Sequence, residues 1–567
     1  MKKHLGFICV LLILIALVVV PLLAPGYIFA IDHILNPNGW TPKIGENIYW
    51  IAELCRVFDF LGIPVWILEK ILLVLTFFLL ALGGYLLTRD SKNPFSWIFA
   101  SIFLIFNPFF YGRFVDGQIS IYFSYALYPL LFFLLRRAFT SPSWQYGLAL
   151  GFLTLWLCLT ALHNAIFLFF IFGIFFIVYF SKKTFSKTVL MCSIVVLCNM
   201  LWFVPFVTQG SGQKFGLANE IADYNQENRQ EFQTGGSKES DGYFPVLTLN
   251  GYWGEYTKRF APVTQNPYWL FLVFGILGLV FAGIFAKIER KQFSRFEGAM
   301  IIVALLSFIF AVGVKKSGFV SHINELMYEY FPMYKGMREP HKWTMFLAIV
   351  YAYFGVYGVQ SLFKNPKMAG FWRHARYVFA LILTALPVLY TSNLLFGAQG
   401  QIKITHYPAE WKQIKDIYKK IPLTTECEAR KKGLSQFCYN ALALPWHQYM
   451  KINFTERVVG NWIFRYFSEN ILFGDNIEKG KVYTNSSLPE TKLVDDYIGP
   501  NGKFIKKIDK NSIEAFYGDL KKMGISHLFL FKEVDYKKYK GIIDFSLDFG
   551  YIEKVEENGM IVFFKIL

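Results

Sequence analysis

The chain has 567 residues, 54% hydrophobic, 19% aromatic and only 17% charged, with 61 Phe, mean hydropathy +0.37 and net charge +17. An average soluble domain carries about 25% charged residues, so this composition excludes a purely cytosolic globular protein, a collagen, a coiled coil, a disordered tail and a disulfide-dense miniprotein. Charge is unevenly placed: residues 1–396 hold 31 Lys+Arg and 19 Asp+Glu, whereas residues 397–567 hold 26 and 21. We therefore expect a membrane-embedded portion, 1–396, followed by a water-soluble domain, 397–567.

A bilayer core about 30 Å thick needs roughly 20 apolar residues in a helix. Eleven segments meet or approach that length, near 4–24, 70–88, 94–111, 118–135, 144–161, 164–180, 188–207, 267–286, 297–314, 343–360 and 377–396. The first is read as an uncleaved span rather than a signal peptide, since its apolar run is long and no A-x-A site follows cleanly. Pro108 and Pro129 fall in or near the third and fourth, where neighbouring helices can satisfy the freed carbonyls. Loops of one side are all basic: Lys2 and Lys3, Arg89 and Lys92, Arg136 and Arg137, Lys182 to Lys187, Lys287 to Arg295, and Lys364 to Arg376. Basic loops stay inside, so the N-terminus is expected in the cytoplasm and the C-terminal domain outside it. Most of the +17 then reports orientation, and no basic run interleaved with aromatics points to nucleic acid.

Polar residues gather in the outside loops, about 25–69, 208–266 and 315–342. The first opens Pro25-Gly26-Tyr27-Ile28-Phe29-Ala30-Ile31-Asp32-His33. Asp32, about eight residues past the first span, reads either as a loop or capping carboxylate or as a general base above a membrane-level cleft. Asn107-Pro108-Phe109-Phe110-Tyr111-Gly112-Arg113-Phe114-Val115-Asp116-Gly117-Gln118 reads as a tight reversal between spans. Its Arg113 and Asp116 either pair in an exposed turn, worth little, or line a polar cavity with Gln118. His163-Asn164 faces the same side, and such a His is more often structural than catalytic. Asn250-Gly251-Tyr252-Trp253-Gly254-Glu255 reads as an interfacial anchor or a lid. Finally Arg338-Glu339-Pro340-His341-Lys342-Trp343 brings cations and a carboxylate to the start of a helix, a setting suited to phosphate; the plainer alternative is a Lys/Trp interfacial anchor.

In the C-terminal domain, 441–444, 528–531 and 560–564 are strand-like, while an amphipathic helix follows Tyr407-Pro408-Ala409-Glu410-Trp411 up to Lys420 and 511–523 has helical spacing. A small α/β or α+β domain is expected. Cys427 and Cys438 are a disulfide candidate there if the domain is outside. Trp446 to Tyr449 and Asp475-Asn476 are glycan-contact candidates, with core packing the more common use. Asn453-Phe454-Thr455 and Asn485-Ser486-Ser487 match glycosylation sequons.

This order of features resembles the glycosyltransferase C (GT-C) superfamily of integral membrane glycosyltransferases. Pro25–Asp32, Asn107–Gln118 and Arg338–Trp343 look like large prokaryotic membrane proteins of that superfamily, to which mycobacterial-type arabinofuranosyltransferases are distantly related. The resemblance implies an inverting transfer of sugar from a polyprenyl-phosphate donor to a glycan or lipid-linked acceptor at the outer membrane face, among membrane lipids. It makes Asp32 the base and Arg113, Arg338 or Lys342 the partners of the leaving phosphate. Family members often carry paired acids, whereas His33 follows Asp32 here; a second carboxylate would come from Glu46, Glu53 or Asp116. Binding of a divalent cation, Mg or Mn, is thereby left open. Two other classes stay in view: a transporter or flippase for a lipid-linked glycan, and a noncatalytic glycan-binding scaffold. Against a transporter, no hydropathy repeat is seen and the spans carry few charges.

Overall fold

The computed structural model describes residues 5–38, 48–91, 94–208, 232–235, 241–315, 317–331, 334, 337, 339–361, 371–423, 438–474, 477–478, 481–482, 489–499 and 504–567. Among these, seven helices are long and apolar enough to cross a membrane: Val65–Thr88, Trp97–Val115, Ile119–Thr140, Phe185–Phe206, Trp269–Glu289, Arg295–Val312 and Pro340–Ser361. An eighth results if Val378–Tyr390 and Ser392–Gln399, bent by 62° at their junction, count as one span. Of the eleven spans expected from the sequence, seven or eight meet this length and composition. The others lie on shorter apolar helices, Ile8–Leu22, Trp144–Thr160 and Asn164–Tyr179. At 1.5 Å per residue each is under about 26 Å long, near the lower end of what a spanning helix needs. The protein is a multi-pass helical membrane protein.

The segment expected as a tight reversal is a helix. Asn107 caps Pro108–Val115, its Oδ1 accepting from Phe110 N at 3.0 Å, with Pro108 in the first turn. The Asn107 Nδ2 donates back to the Phe103 and Leu104 carbonyls (2.9 and 3.0 Å) and to Tyr125 Oη (3.0 Å). A capping Asn followed by Pro is a helix-start pattern, and here it restarts a helix instead of turning the chain. Asn164 has a comparable joining role. It accepts from Tyr128 Oη at 3.0 Å and donates to Ser124 Oγ and the Leu157 carbonyl, both at 2.8 Å.

Helices close most tightly where they carry glycine. A Cβ on Gly283 would lie 1.9 Å from the Phe354 carbonyl oxygen, and one on Gly358 would lie 2.1 Å from that of Leu279. Helix Trp269–Glu289 therefore packs backbone to backbone on Thr344–Ser361, the small-residue mode by which membrane helices gain dispersion contact.

The C-terminal region carries a mixed five-stranded sheet of β3 (Ala441–Leu444), β4 (Ile471–Leu472), β5 (His527–Phe531), β6 (Ile552–Glu557) and β7 (Ile561–Ile566), in the order β6-β7-β5-β3-β4. All three strand-like runs and both expected helices, now Ala409–Tyr418 and Lys510–Lys522, are present. Side chains alternate across the sheet. Leu528, Leu530 and Phe564 face a core closed by Lys510–Lys522 and Lys540–Asp548. Phe529, Phe531 and Phe563 join the hydrophobic core that continues into the membrane helices. Two further contacts tie the region to the N-terminal loop: β1 (Tyr27–Ile28) pairs antiparallel with β2 (Ile404–Thr405), and Gly460 N donates to the Ile31 carbonyl at 3.1 Å. Cys438 is disulfide-bonded, while its expected partner Cys427 lies outside the described residues, as do Asp475, Asn476 and Asn485. Cys55 is a buried free thiol.

Gly283→Ala and Gly358→Ala are each expected to cost about 1–3 kcal/mol by forcing the two helices apart. Thermal unfolding in detergent should show both losses, and the double variant should lose less than their sum, because both act on one contact.

Candidate functional site

A cavity of about 320 Å³ opens where four distant segments meet. Loop one supplies Asp32, Ile34, Asn36 and Ile48, and the start of helix Ile119–Thr140 supplies Gln118 to Ile121. The turn before Thr344–Ser361 supplies Glu339 and Lys342, and the C-terminal region supplies Tyr449, Trp462 and Arg465. Its lining thus mixes four Ile residues with polar and charged side chains.

Asp32 is half-buried. Gln118 Nε2 donates to its Oδ2 and Tyr449 Oη to its Oδ1, both at 3.4 Å. These contacts orient the carboxylate from two elements. His33 points the other way. Its Nε2 lies 2.9 Å from Glu69 Oε1, its Nδ1 is 3.2 Å from Tyr122 Oη, and the ring is buried. Glu69 in turn accepts from Ile28 N at 2.8 Å and from Lys70 Nζ at 3.2 Å. His33 is thus a pin holding the loop that presents Asp32.

Arg113 is fully buried and lies behind the cavity wall, not on it. Its Nη1 donates to Glu339 Oε2 at 2.5 Å and to Gln118 Oε1, and its Nη2 is 3.3 Å from His341 Nδ1. His341 Nε2 donates to the Asn250 carbonyl at 2.8 Å, which leaves Nδ1 its lone pair to accept from Arg113. The guanidinium also lies 3.9 Å from the Tyr252 ring centroid. Asp116 goes elsewhere, accepting from Tyr252 Oη at 2.5 Å with Arg259 Nη1 at 3.7 Å. The Arg113–Asp116 pair entertained from the sequence is therefore replaced by Arg113–Glu339, 226 residues apart. His163 caps Asn164–Tyr179 beside Phe167, ring centroids 5.5 Å apart, away from the cavity lining. Burial, with Lys342 and Arg113 nearby, holds its imidazole well below the usual range, and so neutral. Arg338 lies outside the described residues.

The second carboxylate at the cavity is Glu339. Glu46 lies outside the described residues, and Glu53 pairs with Arg56 at 3.0 Å on the surface. Glu255, in the aromatic turn, accepts from Gly251 N at 3.4 Å, and burial pushes its carboxyl up to about 7. Asn36, Trp462 and Arg465 were not foreseen. Asn36 Nδ2 donates to the Trp462 carbonyl at 3.2 Å, and Asn38 Nδ2 donates to the Tyr466 carbonyl at 2.5 Å. Two Asn four and six residues past Asp32 were the available signal, but their partners lie more than 420 positions away.

Two solved structures of the arabinofuranosyltransferase AftD from Mycobacteria, the second of a mutant, superpose on this chain with TM-scores of 0.59 and 0.56. The fold is that of the GT-C enzymes. Identity is 10% and 11%, and the match covers 100% of this chain but 40% and 41% of those. The chain thus spans about two fifths of the length of the solved structures it matches. A membrane-protein family described as 6-pyruvoyl-tetrahydropterin synthase related domain matches residues 57–219, which lie within the helical part of this GT-C fold. No curated protein matches the chain.

A divalent cation wants several oxygen ligands. Among the described residues no three His, Cys, Asp or Glu side chains gather as a metal site, and Glu339 at the cavity is already held by Arg113.

R113M should lower stability by about 3–5 kcal/mol, because it removes one partner of a buried ion pair. The double variant R113M/E339L should recover most of that loss in detergent thermal unfolding, since neither charge is then left behind.

Proposed function

We propose that the protein is an inverting membrane glycosyltransferase that moves a sugar from a polyprenyl-phosphate donor to a glycan or lipid-linked acceptor at the outer membrane face. The observation that carries the reading is the cavity: a half-buried carboxylate from the first loop shares its lining with Lys342, Arg465 and four Ile residues, inside a GT-C fold.

In this reading Asp32 takes the proton of an acceptor hydroxyl as that oxygen forms a bond to the anomeric carbon. The carbon–oxygen bond to the carrier phosphate breaks on the opposite side, and the phosphate leaves with the electron pair. Proton transfer by a positioned carboxylate contributes typically about 10²–10⁴-fold. Lys342 and Arg465 meet the charge developing on the phosphate, where a partly dried cleft strengthens the attraction. Arg113 acts one step back: by holding Gln118 and Glu339 it sets the positions of two cavity walls. The apolar Ile residues receive the first part of a prenyl tail.

Outer-face placement is supported by the basic loops on the opposite side and by the disulfide at Cys438, which suits an oxidising compartment.

Asp32→Asn keeps the shape of the side chain and removes its basicity. With polyprenyl-phosphate sugars in nanodiscs, transfer is expected to fall at least about 10²-fold with the thermal midpoint retained; undiminished transfer would remove Asp32 from the role of base. For topology, Ile505→Cys places a thiol at an exposed position of the C-terminal region. A membrane-impermeant maleimide should label it in intact cells above the parent's background. Labelling only after permeabilisation would put this region in the cytoplasm.

A further inference from the structure

The C-terminal contribution to the cavity has a construction that the transfer chemistry alone does not call for. Residues Asn461–Tyr466 form a 3₁₀ helix. At three residues per turn, positions i and i+3 share a face, and here those positions are Trp462 and Arg465, both lining the cavity. The indole is held in place from several sides. It lies against Gly460 so closely that a Cβ there would come within 2.2 Å of Trp462 Cη2 and Cζ2. Tyr449 meets it edge-on, with ring centroids 5.5 Å apart and an interplanar angle of 84°. Its carbonyl accepts from Asn36, and the preceding Asn461 is buried, its Nδ2 donating to the His447 carbonyl at 2.7 Å. Yet Trp462 stays half-buried, opening on the cavity instead of closing into the core.

A large flat ring, fixed in orientation and only half covered, is a surface for another flat apolar face. The C–H face of a sugar ring is such a partner: it sheds water onto the indole while its hydroxyls stay at the edge. Tyr449 joins this wall directly to Asp32 through the 3.4 Å hydrogen bond. We infer that Trp462 is the sugar-stacking platform of the cavity, with Gly460 and Tyr449 as its positioning residues, and that it seats a glycan ring with one hydroxyl toward Asp32. Arg465, on the same face of the 3₁₀ turn, meets the polar edge of that ring, and its planar fork favours an anionic substituent, carboxylate or phosphate. This inference rests on reading the cavity as a glycosyltransferase site.

The test uses the full chain in nanodiscs on an array of immobilised neutral, uronate-bearing and phosphorylated oligosaccharides. The wild type is expected to bind at least one acidic set more tightly than its neutral counterpart. Trp462→Ala should weaken that binding at least about tenfold, while Trp462→Phe, which keeps a flat ring, should retain most of it. Gly460→Ala, which displaces the indole, should resemble Trp462→Ala, and Arg465→Gln should erase the preference for acidic over neutral members. Tenfold loss in Trp462→Ala with binding kept in Trp462→Phe also separates stacking from misfolding. Equal binding by wild type and Trp462→Ala, or no binding of any oligosaccharide by the wild type, would overturn the platform. Equal binding of acidic and neutral members would overturn the role of Arg465. The two readings fail separately, because the array reads binding and the donor assay reads transfer: a wild type that binds but transfers nothing leaves the stacking intact, and a wild type that transfers but binds no oligosaccharide loses the platform and keeps the base.

Discussion

A guanidinium with no solvent exposure has to be matched, and the neighbourhood of Arg113 is arranged around that requirement. An unpaired buried charge costs several kcal/mol even after relaxation, so Glu339, Gln118 and His341 cannot be placed independently of it. Glu339 fixes the turn before Thr344–Ser361, Gln118 fixes the start of Ile119–Thr140, and His341 reaches through to Asn250 in the aromatic turn. Three segments, around Gln118, Asn250 and Glu339, are thereby brought to one point. The cavity lies on the outer side of this knot, using two of its members as wall. Arg113 therefore matters to the candidate chemistry through where it puts others.

The other half of the cavity is held by weaker and more numerous contacts. Loop one meets the C-terminal region through the β1–β2 pair, through Gly460 N to Ile31, and through Asn36 and Asn38 to the 461–466 turn. Arg457 adds bonds to the Phe29 and Val115 carbonyls. Backbone groups make up most of these partners. The docking therefore depends on chain path more than on side-chain identity, and it leaves the side chains that face inward, Asp32, Tyr449 and Trp462, free of docking duty.

Much of the helical layout was legible because apolar windows near 20 residues long have few other physical outcomes in a bilayer. The strands of the C-terminal sheet were legible for a similar reason, as short apolar runs between charged stretches. Helix length was less so: Trp144–Thr160 and Asn164–Tyr179 look like spans by composition but are 17 and 16 residues long. At the site, Asp32, Gln118, Glu339 and Lys342 stood out as polar groups stranded on one side of a hydrophobic chain. Pairings did not. Arg113 and Asp116 are neighbours in sequence, yet a helix through Val115 with Asp116 at its C-cap sends them to different partners. Trp462 and Arg465 look like ordinary members of a soluble domain, and only a fold that returns that domain to loop one gives them a cavity to face.

One consequence of that return concerns time. Asp32 is made early in translation, and Tyr449 and Trp462 some four hundred residues later. Until the later stretch has emerged and settled on loop one, the cavity lacks the part of its lining that Tyr449, Trp462 and Arg465 supply. An unfinished chain can hold its membrane helices and its buried ion pair without holding a substrate, so the order of synthesis itself keeps the site shut until the protein is whole.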